Sequence, residues 1–251
     1  MPNELNTPDP VSIAAVLANA DRLLPEFRAI IDAMPAYERG PGIYISEMFL
    51  FYCVVRPLAP QRILESGRDR GGSTCLLANC FPNARIISVE FDRASPRAAP
   101  ALERLAPHKN VECLFGDSRE LLPKFLQPGD AVLIDGPKEF RALKLALRLL
   151  RSGKPSVVFV HDVPAGSPIR QFLERHWPGA FFSDHPEFFA RFCALDSAGP
   201  KPRTTTFACL PPKLPASYRT LLAKLVFERA ITHAREKAPR VLGGRVVRRE
   251  S

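Results

Sequence analysis

The chain has 251 residues, 46% of them apolar and 24% charged, with a formal net charge of +9. That length suits one sizeable α/β domain with appendages, and the run Met48 to Val55 is too short to span a membrane. The basic excess is local: residues 218–251 hold nine Lys/Arg against three Glu, so the charge belongs to the end of the chain and the main body is not a basic nucleic-acid-binding surface. The six cysteines (53, 75, 80, 113, 193, 209) form no CxxC pair and fall mostly in apolar runs. They read as buried free thiols and argue against a cysteine zinc site. The opening Met-Pro-Asn-Glu-Leu-Asn has neither basic flank nor apolar core, so the expected location is the cytoplasm.

In chain order, residues 1–10 read as disordered. Val11 to Met34 carries apolar residues at helical spacing, which Pro25 is expected to break into two helices. A further helix is expected over Ser46–Val55. From Arg62 the pattern alternates regularly: strands at 62–66, 85–90, 111–115, 131–135 and 156–161, and helices at 73–80, 97–105, 118–126, 139–151 and 168–175. Such alternation with short loops implies a parallel sheet covered by helices on both faces, and the runs Ala131–Ile134 and Val157–Val160 suit strands buried on both sides. Phe188–Leu195 and Thr204–Leu210 then read as two strands forming an antiparallel pair at the sheet edge. A helix over 216–236 and a Gly-Gly, Arg-rich tail follow. The expected organisation is an N-terminal helical cap over 1–60, a doubly wound domain over 61–212, and a C-terminal helix with basic tail over 213–251.

Chemistry enters at residues 63–74, Ile-Leu-Glu-Ser-Gly-Arg-Asp-Arg-Gly-Gly-Ser-Thr. An apolar strand exits into Gly67, which permits a turn closed to other residues. Gly71 and Gly72 allow close backbone approach before Ser73–Thr74 open a helix, whose free N–H groups favour polar or anionic ligand atoms. Glu90 ends the next strand, 23 positions after Gly67, where a carboxylate accepts two ribose hydroxyls. Two more acids end strands at Asp135 and Asp162, with Lys138 and His161 beside them.

Together these residues resemble the class I S-adenosylmethionine-dependent methyltransferases, over roughly residues 40–210. The resemblance implies a Rossmann-like, seven-stranded doubly wound sheet ending in an antiparallel hairpin. It makes Glu65-x-Gly67-x-x-x-Gly71-x-Ser73 the cofactor loop, Glu90 the ribose carboxylate, and Gly116-Asp117-Ser118 the adenine-contact segment. Asp69 stands where the family commonly has glycine. Gly42-Ile43-Tyr44-Ile45-Ser46 before a helix, with Asp135-x-x-Lys138, is similar to the metal-dependent catechol and caffeoyl-coenzyme A type O-methyltransferases. That narrower likeness implies a divalent ion (Mg²⁺ or Mn²⁺) on Asp135 and Asp162, with Lys138 as base. Where those enzymes carry Asp-Asn after the fifth strand, this chain has His161-Asp162, so His161 is either a third metal ligand or the base. Uncharacterised bacterial methyltransferases with a strand-four Asp-Gly and a strand-five His-Asp are also similar.

The expected reaction is methyl transfer to a hydroxyl of a small molecule. Such a hydroxyl is a poor nucleophile at neutral pH, so an ion and a base would be needed to ionise it. Plainer roles stay open: Asp135-Gly136-Pro137 as a turn, Lys138 as a solvated lysine, His161 as a satisfied strand-end residue. So do an RNA-directed enzyme of the same fold, a non-catalytic relative and a dehydrogenase. The even charge of the main body argues against nucleic acid. The C-terminal helix reads as docked on its own domain, or else as a surface for anionic membrane or self-association.

Overall fold

The computed structural model describes residues 11–35, 42–196, 206–237, 240–242 and 245–247; the expectation of disorder over 1–10 and most of the basic tail lie outside them. Helix α1 (Ile13–Ala33) begins at Ser12, whose hydroxyl accepts from the Ala15 N–H at 3.2 Å. It buries Val16, Ala20, Leu23, Phe27 and Ile31, a stripe at helical spacing. Pro25 does not break it. The ring sits on the exposed face of the helix, among solvent-facing residues, so no buried packing opposes its fit there. Helix α2 (Ile45–Leu58) is buried continuously from Ser46 to Val55 and lies between α1 and the sheet. Phe49 packs on Phe27 at 4.9 Å, and Phe51 packs on Phe159 of the sheet at 4.8 Å.

The core sheet has seven strands: β1 (Arg62–Ser66), β2 (Arg85–Glu90), β3 (Val111–Phe115), β4 (Ala131–Ile134), β5 (Val157–Val160), β6 (Phe181–Phe182) and β7 (Ala208–Leu210). Their order is β3-β2-β1-β4-β5-β7-β6. The first five are parallel, and β7 runs antiparallel to both β5 and β6. The intervening helices are α3 (Gly72–Cys80), α4 (Ala98–Leu105), α5 (Ser118–Phe125), α6 (Glu139–Arg151) and α7 (Pro168–His176). One apolar cluster joins α1, α2 and α3 to one face of the sheet; a second joins α5, α6 and α7 to the other.

The outer strand of the terminal hairpin is β6, not residues 188–195. Those residues form helix α8 (Pro186–Phe192) and a 3-10 turn over Cys193–Leu195. Pro186 occupies the first helical position, and Phe188 and Phe192, four apart, are both buried against Phe49. Helical spacing and proline therefore override the aromatic content that reads as a strand.

Helix α9 (Tyr218–Lys237) docks on α6 and α7 through buried Leu221 and Leu225. Val226 and Phe227 face outward, 57% and 65% exposed. Past it, β8 (Arg240–Leu242) and β9 (Arg245–Val247) pair as a separate antiparallel ribbon that the sequence pattern does not announce. Among the described residues no helix is long and apolar enough to cross a membrane.

Candidate functional site

The strand register sets out the site. Ser66 pairs with Val89 and with Ile134, and Ile134 with Val160, so the next residues, Glu90, Gly67, Asp135 and His161, line one sheet edge in order. This is the carboxyl end of the parallel strands, where open α/β sheets bind ligands.

At the Gly67 end of that row, Gly67 has φ +88° and donates its N–H to the Val89 carbonyl at 2.9 Å. A Cβ on Gly67 would lie 2.7 Å from the Gly136 nitrogen, so the first loop and the β4 exit meet backbone to backbone. Asp69 takes a left-handed φ of +44°, a conformation that Asp tolerates better than most side chains.

Glu90 holds two backbone donors, with Oε2 accepting from Asp69 N at 2.7 Å and Oε1 from Phe91 N at 2.8 Å. Glu65, by contrast, is fully buried and engaged elsewhere. Its carboxylate accepts from Ser73 Oγ (2.5 Å), Thr74 Oγ1 (2.5 Å) and Ser88 Oγ (2.6 Å), tying the first turn of α3 to β1 and β2. Burial pushes its carboxyl pKa up despite the three hydroxyls. Glu65 and Ser73 accordingly brace the loop rather than face outward.

Gly71, at φ +81°, is the cap residue that precedes α3. Asp117 caps α5, accepting from Arg119 N at 2.8 Å, while the Arg119 guanidinium lies 2.5 Å from its other oxygen and holds the carboxyl below the usual range. The Ser118 hydroxyl donates to the Gly136 carbonyl at 3.2 Å, a second tie between the two halves of the edge.

Beneath this loop lies a residue the motif does not announce. Arg68 is only 1% exposed; its Nη1 donates to the Ser88 carbonyl at 2.8 Å, and its guanidinium lies 4.8 Å from the centre of the Phe115 ring.

At the other end, four expected residues converge. His161 Nδ1 is 2.6 Å from Asp135 Oδ1 and 3.6 Å from Asp162 Oδ1. Lys138 Nζ bridges Asp135 Oδ1 and Asp162 Oδ2, 2.5 Å from each. Burial alone would raise the Asp135 pKa, but His161 and Lys138 outweigh it and hold the carboxyl low. Burial alone would lower that of Lys138, but the two carboxylates outweigh it and hold the ammonium charged.

A fifth group completes the cluster, and sequence reasoning missed it. Glu47 of α2, fully buried, accepts from Tyr44 N at 2.9 Å and sets Oε2 3.5 Å from His161 Nε2, an ion-pair distance without hydrogen-bond geometry. With Asp135 it overcomes the burial penalty and pushes the His161 imidazolium up to about 10. Its only signal was a lone acid at the head of an otherwise apolar helix.

One ligand atom each from Asp135, His161 and Asp162 fall within 4.8 Å of one another. Glu47 lies on the far side of the imidazole, where a carboxylate favours a proton on Nε2, so Nδ1 is the nitrogen that would face an ion once its own proton is displaced. Two oxygens and one nitrogen fit a divalent cation, with the nitrogen favouring Mn²⁺ over Mg²⁺. Lys138 would have to swing off the carboxylates to admit it.

Residues 64–163, less than half of the chain, match a family model described as a methyltransferase domain. No curated protein matches the chain. Among solved structures it is similar to the cofactor-bound Rv0187 from MTB, at 21% identity over 84% of this chain and 93% of that one, with a TM-score of 0.45. It is similar also to the O-methyltransferase TomG from Streptomyces achromogenes in complex with SAM (22%, 78% and 89%, TM-score 0.42). A third is the O-methyltransferase from Bacillus cereus in complex with SAH (19%, 77% and 90%, TM-score 0.44). The matched stretch runs from β1 through the residue after His161-Asp162, and so takes in the whole row of site residues on the sheet edge apart from Glu47. Residues 64–163, which run from within β1 through β5, the five parallel strands of the seven-stranded sheet, are therefore similar to a methyltransferase domain.

Proposed function

We propose that this methyltransferase transfers its methyl group to a hydroxyl oxygen of a small-molecule acceptor, at a site where Asp135, His161 and Asp162 hold a divalent cation. The observation that carries the reading is their convergence, with Lys138, on the same sheet edge as Gly67 and Glu90. S-adenosylmethionine would lie over Gly67 and Gly71 with its ribose on Glu90 and its adenine toward Asp117 and Ser118. Its methyl would then point along the edge toward Asp135. In-line displacement needs little from the protein beyond holding acceptor oxygen, methyl and sulfur in line.

An ion held there would lower the pKa of the acceptor hydroxyl and neutralise the carboxylates that now keep Lys138 charged. The residues' own work follows from their surroundings. Asp135 and Asp162 hold Lys138 as an ammonium and so prevent it from taking a proton in the resting arrangement. Freed from them, the half-buried lysine loses its stabilising partners and becomes the group able to accept the hydroxyl proton. Glu47 orients His161 through Nε2, and Phe207 packs edge-on against the imidazole at 5.2 Å.

The test is methyl transfer from labelled S-adenosylmethionine into a metabolite extract. It uses protein treated with EDTA and then resupplied with Mn²⁺ or Mg²⁺, with elemental analysis of the purified protein. Activity should vanish in EDTA and return best with Mn²⁺. Full activity in treated protein free of metal sinks the ion. A second reading would then stand on the Lys138 bridge: an ion-free site in which the carboxylates hold Lys138 and His161 charged beside the acceptor, and Asp162 takes the hydroxyl proton.

A further inference from the structure

Beyond Lys138 and Asp162 the acceptor end opens into a cleft of about 740 Å³, a volume suited to a small molecule. Lys138, Glu139 and Arg141 form one wall, Asp162 and the start of α7 another, and the third is α9, which contributes Arg229 and His233. The C-terminal helix is held firmly enough to do so. Leu221 and Leu225 are buried against α6 and α7, Arg151 stacks on the Tyr218 ring at 4.7 Å, and Arg175 pairs with Glu228 at 2.5 Å. The last of these fastenings adjoins Arg229 directly.

Charge in the cleft is not balanced. Lys138 is taken up by Asp135 and Asp162, whereas Arg141 and Arg229 have no hydrogen-bond or ion-pair partner among the described residues. Glu139 lines the same space, which leaves two free guanidiniums facing one carboxylate. Guanidinium forks bind carboxylates and phosphates through paired N–H donors.

We propose that α9 completes an anion seat, in which Arg141 and Arg229 bind a carboxylate or phosphate group on the acceptor whose hydroxyl lies at Lys138 and Asp162. The inference rests on the methyl-transfer reading above and adds the acceptor's class to it: a small hydroxylated acid. It also gives the basic C-terminal helix a place in the site rather than on a membrane.

The test uses the full chain with S-adenosylmethionine and Mn²⁺, and two probes differing only in the acid, 3,4-dihydroxybenzoate and catechol. The acid should be preferred in kcat/KM by about tenfold or more, through KM, as one charge-assisted pair would give. In the double variant Arg141→Ala, Arg229→Ala the preference should collapse, and Arg→Lys at both positions should restore part of it. A second arm needs no turnover: calorimetric binding of benzoate and of phenyl phosphate says which anion the seat takes. A wild-type protein that binds neither anion, or whose preference for the acid is absent or survives the double variant, overturns the seat. If neither phenol is methylated but an anion binds and is lost in the double variant, the seat stands and the small-molecule methylation reading falls.

Discussion

The two ends of the row of residues along the sheet edge are built on opposite plans. At the proposed cofactor end the polar side chains are spent on the protein itself: Glu65 on three hydroxyls, Glu90 on two backbone N–H groups, Asp117 on Arg119. At the acceptor end charges crowd one another. Three carboxylates surround one histidine and one lysine, and Glu47 Oε1 and His161 Nε2 are buried without a hydrogen bond. The first plan fixes a shape, since a cofactor recognised through backbone needs a loop of one conformation. The second stores electrostatic tension, which suits a group that must change its protonation or its partner.

The contrast breaks most completely where the two ends touch. Gly67→Val places a side chain on the Gly136 nitrogen and demands a β-branched residue at φ +88°, so S-adenosylhomocysteine binding by calorimetry should be lost altogether and Tm should fall. Normal binding by that variant would discard the loop assignment.

Asp135→Ala, at the charged end, should cost at least about a hundredfold in methyl transfer, the scale of a lost acid–base or electrostatic group, while cofactor affinity stays within about twofold. Equal losses of both would mean the two ends are not separable.

Glu90→Ala should do the reverse in kind. Loss of a charged acceptor, about 1.5–3 kcal/mol, weakens S-adenosylhomocysteine by about tenfold or more. An unchanged dissociation constant would take Glu90 out of the site.

The smallest effect sharpens the electrostatic half. In metal-free protein His161 titrates at about 10, above its ordinary 6.5, because Asp135 and Glu47 outweigh its burial. A raised folded pKa means that protonation favours the folded state. The stabilisation is complete below pH about 6.5 and is lost as pH rises toward 10. Glu47→Gln removes one of the two charges, so its Tm should lie a few degrees below wild type near neutral pH, and the two curves should converge above pH about 10. Parallel curves across that range, or an unchanged His161 titration by NMR, would show that Glu47 acts only as a helix cap.

This contrast also decides what could be read from the sequence. The loop at 63–74 was legible because shape is written locally, in glycines beside a strand and an acid one strand later. Strands β4 and β5 were legible because burial on both faces demands unbroken apolar runs. Asp135, His161 and Asp162 could be named just past their strand ends, and Lys138 at the start of the next helix, but not their mutual distances. Glu47 could not be found this way, since it reaches the cluster from α2, more than a hundred residues from His161, and no short motif spans that gap. The two-residue β6 is below the length at which alternation means anything, and the Phe-rich segment after it drew the strand assignment away.

The placement of β7 between β5 and β6 has a consequence for the growing chain. Among the described residues β6 reaches the sheet only through β7, so on a ribosome the sheet ends at β5 until Leu210 has cleared the exit tunnel. During that interval the flank of Val157–Val160 is an unpaired apolar edge, the kind of surface that recruits strands from other chains. Three late residues, Ala208 to Leu210, therefore act as a closure that ends a period of vulnerability in the molecule's synthesis.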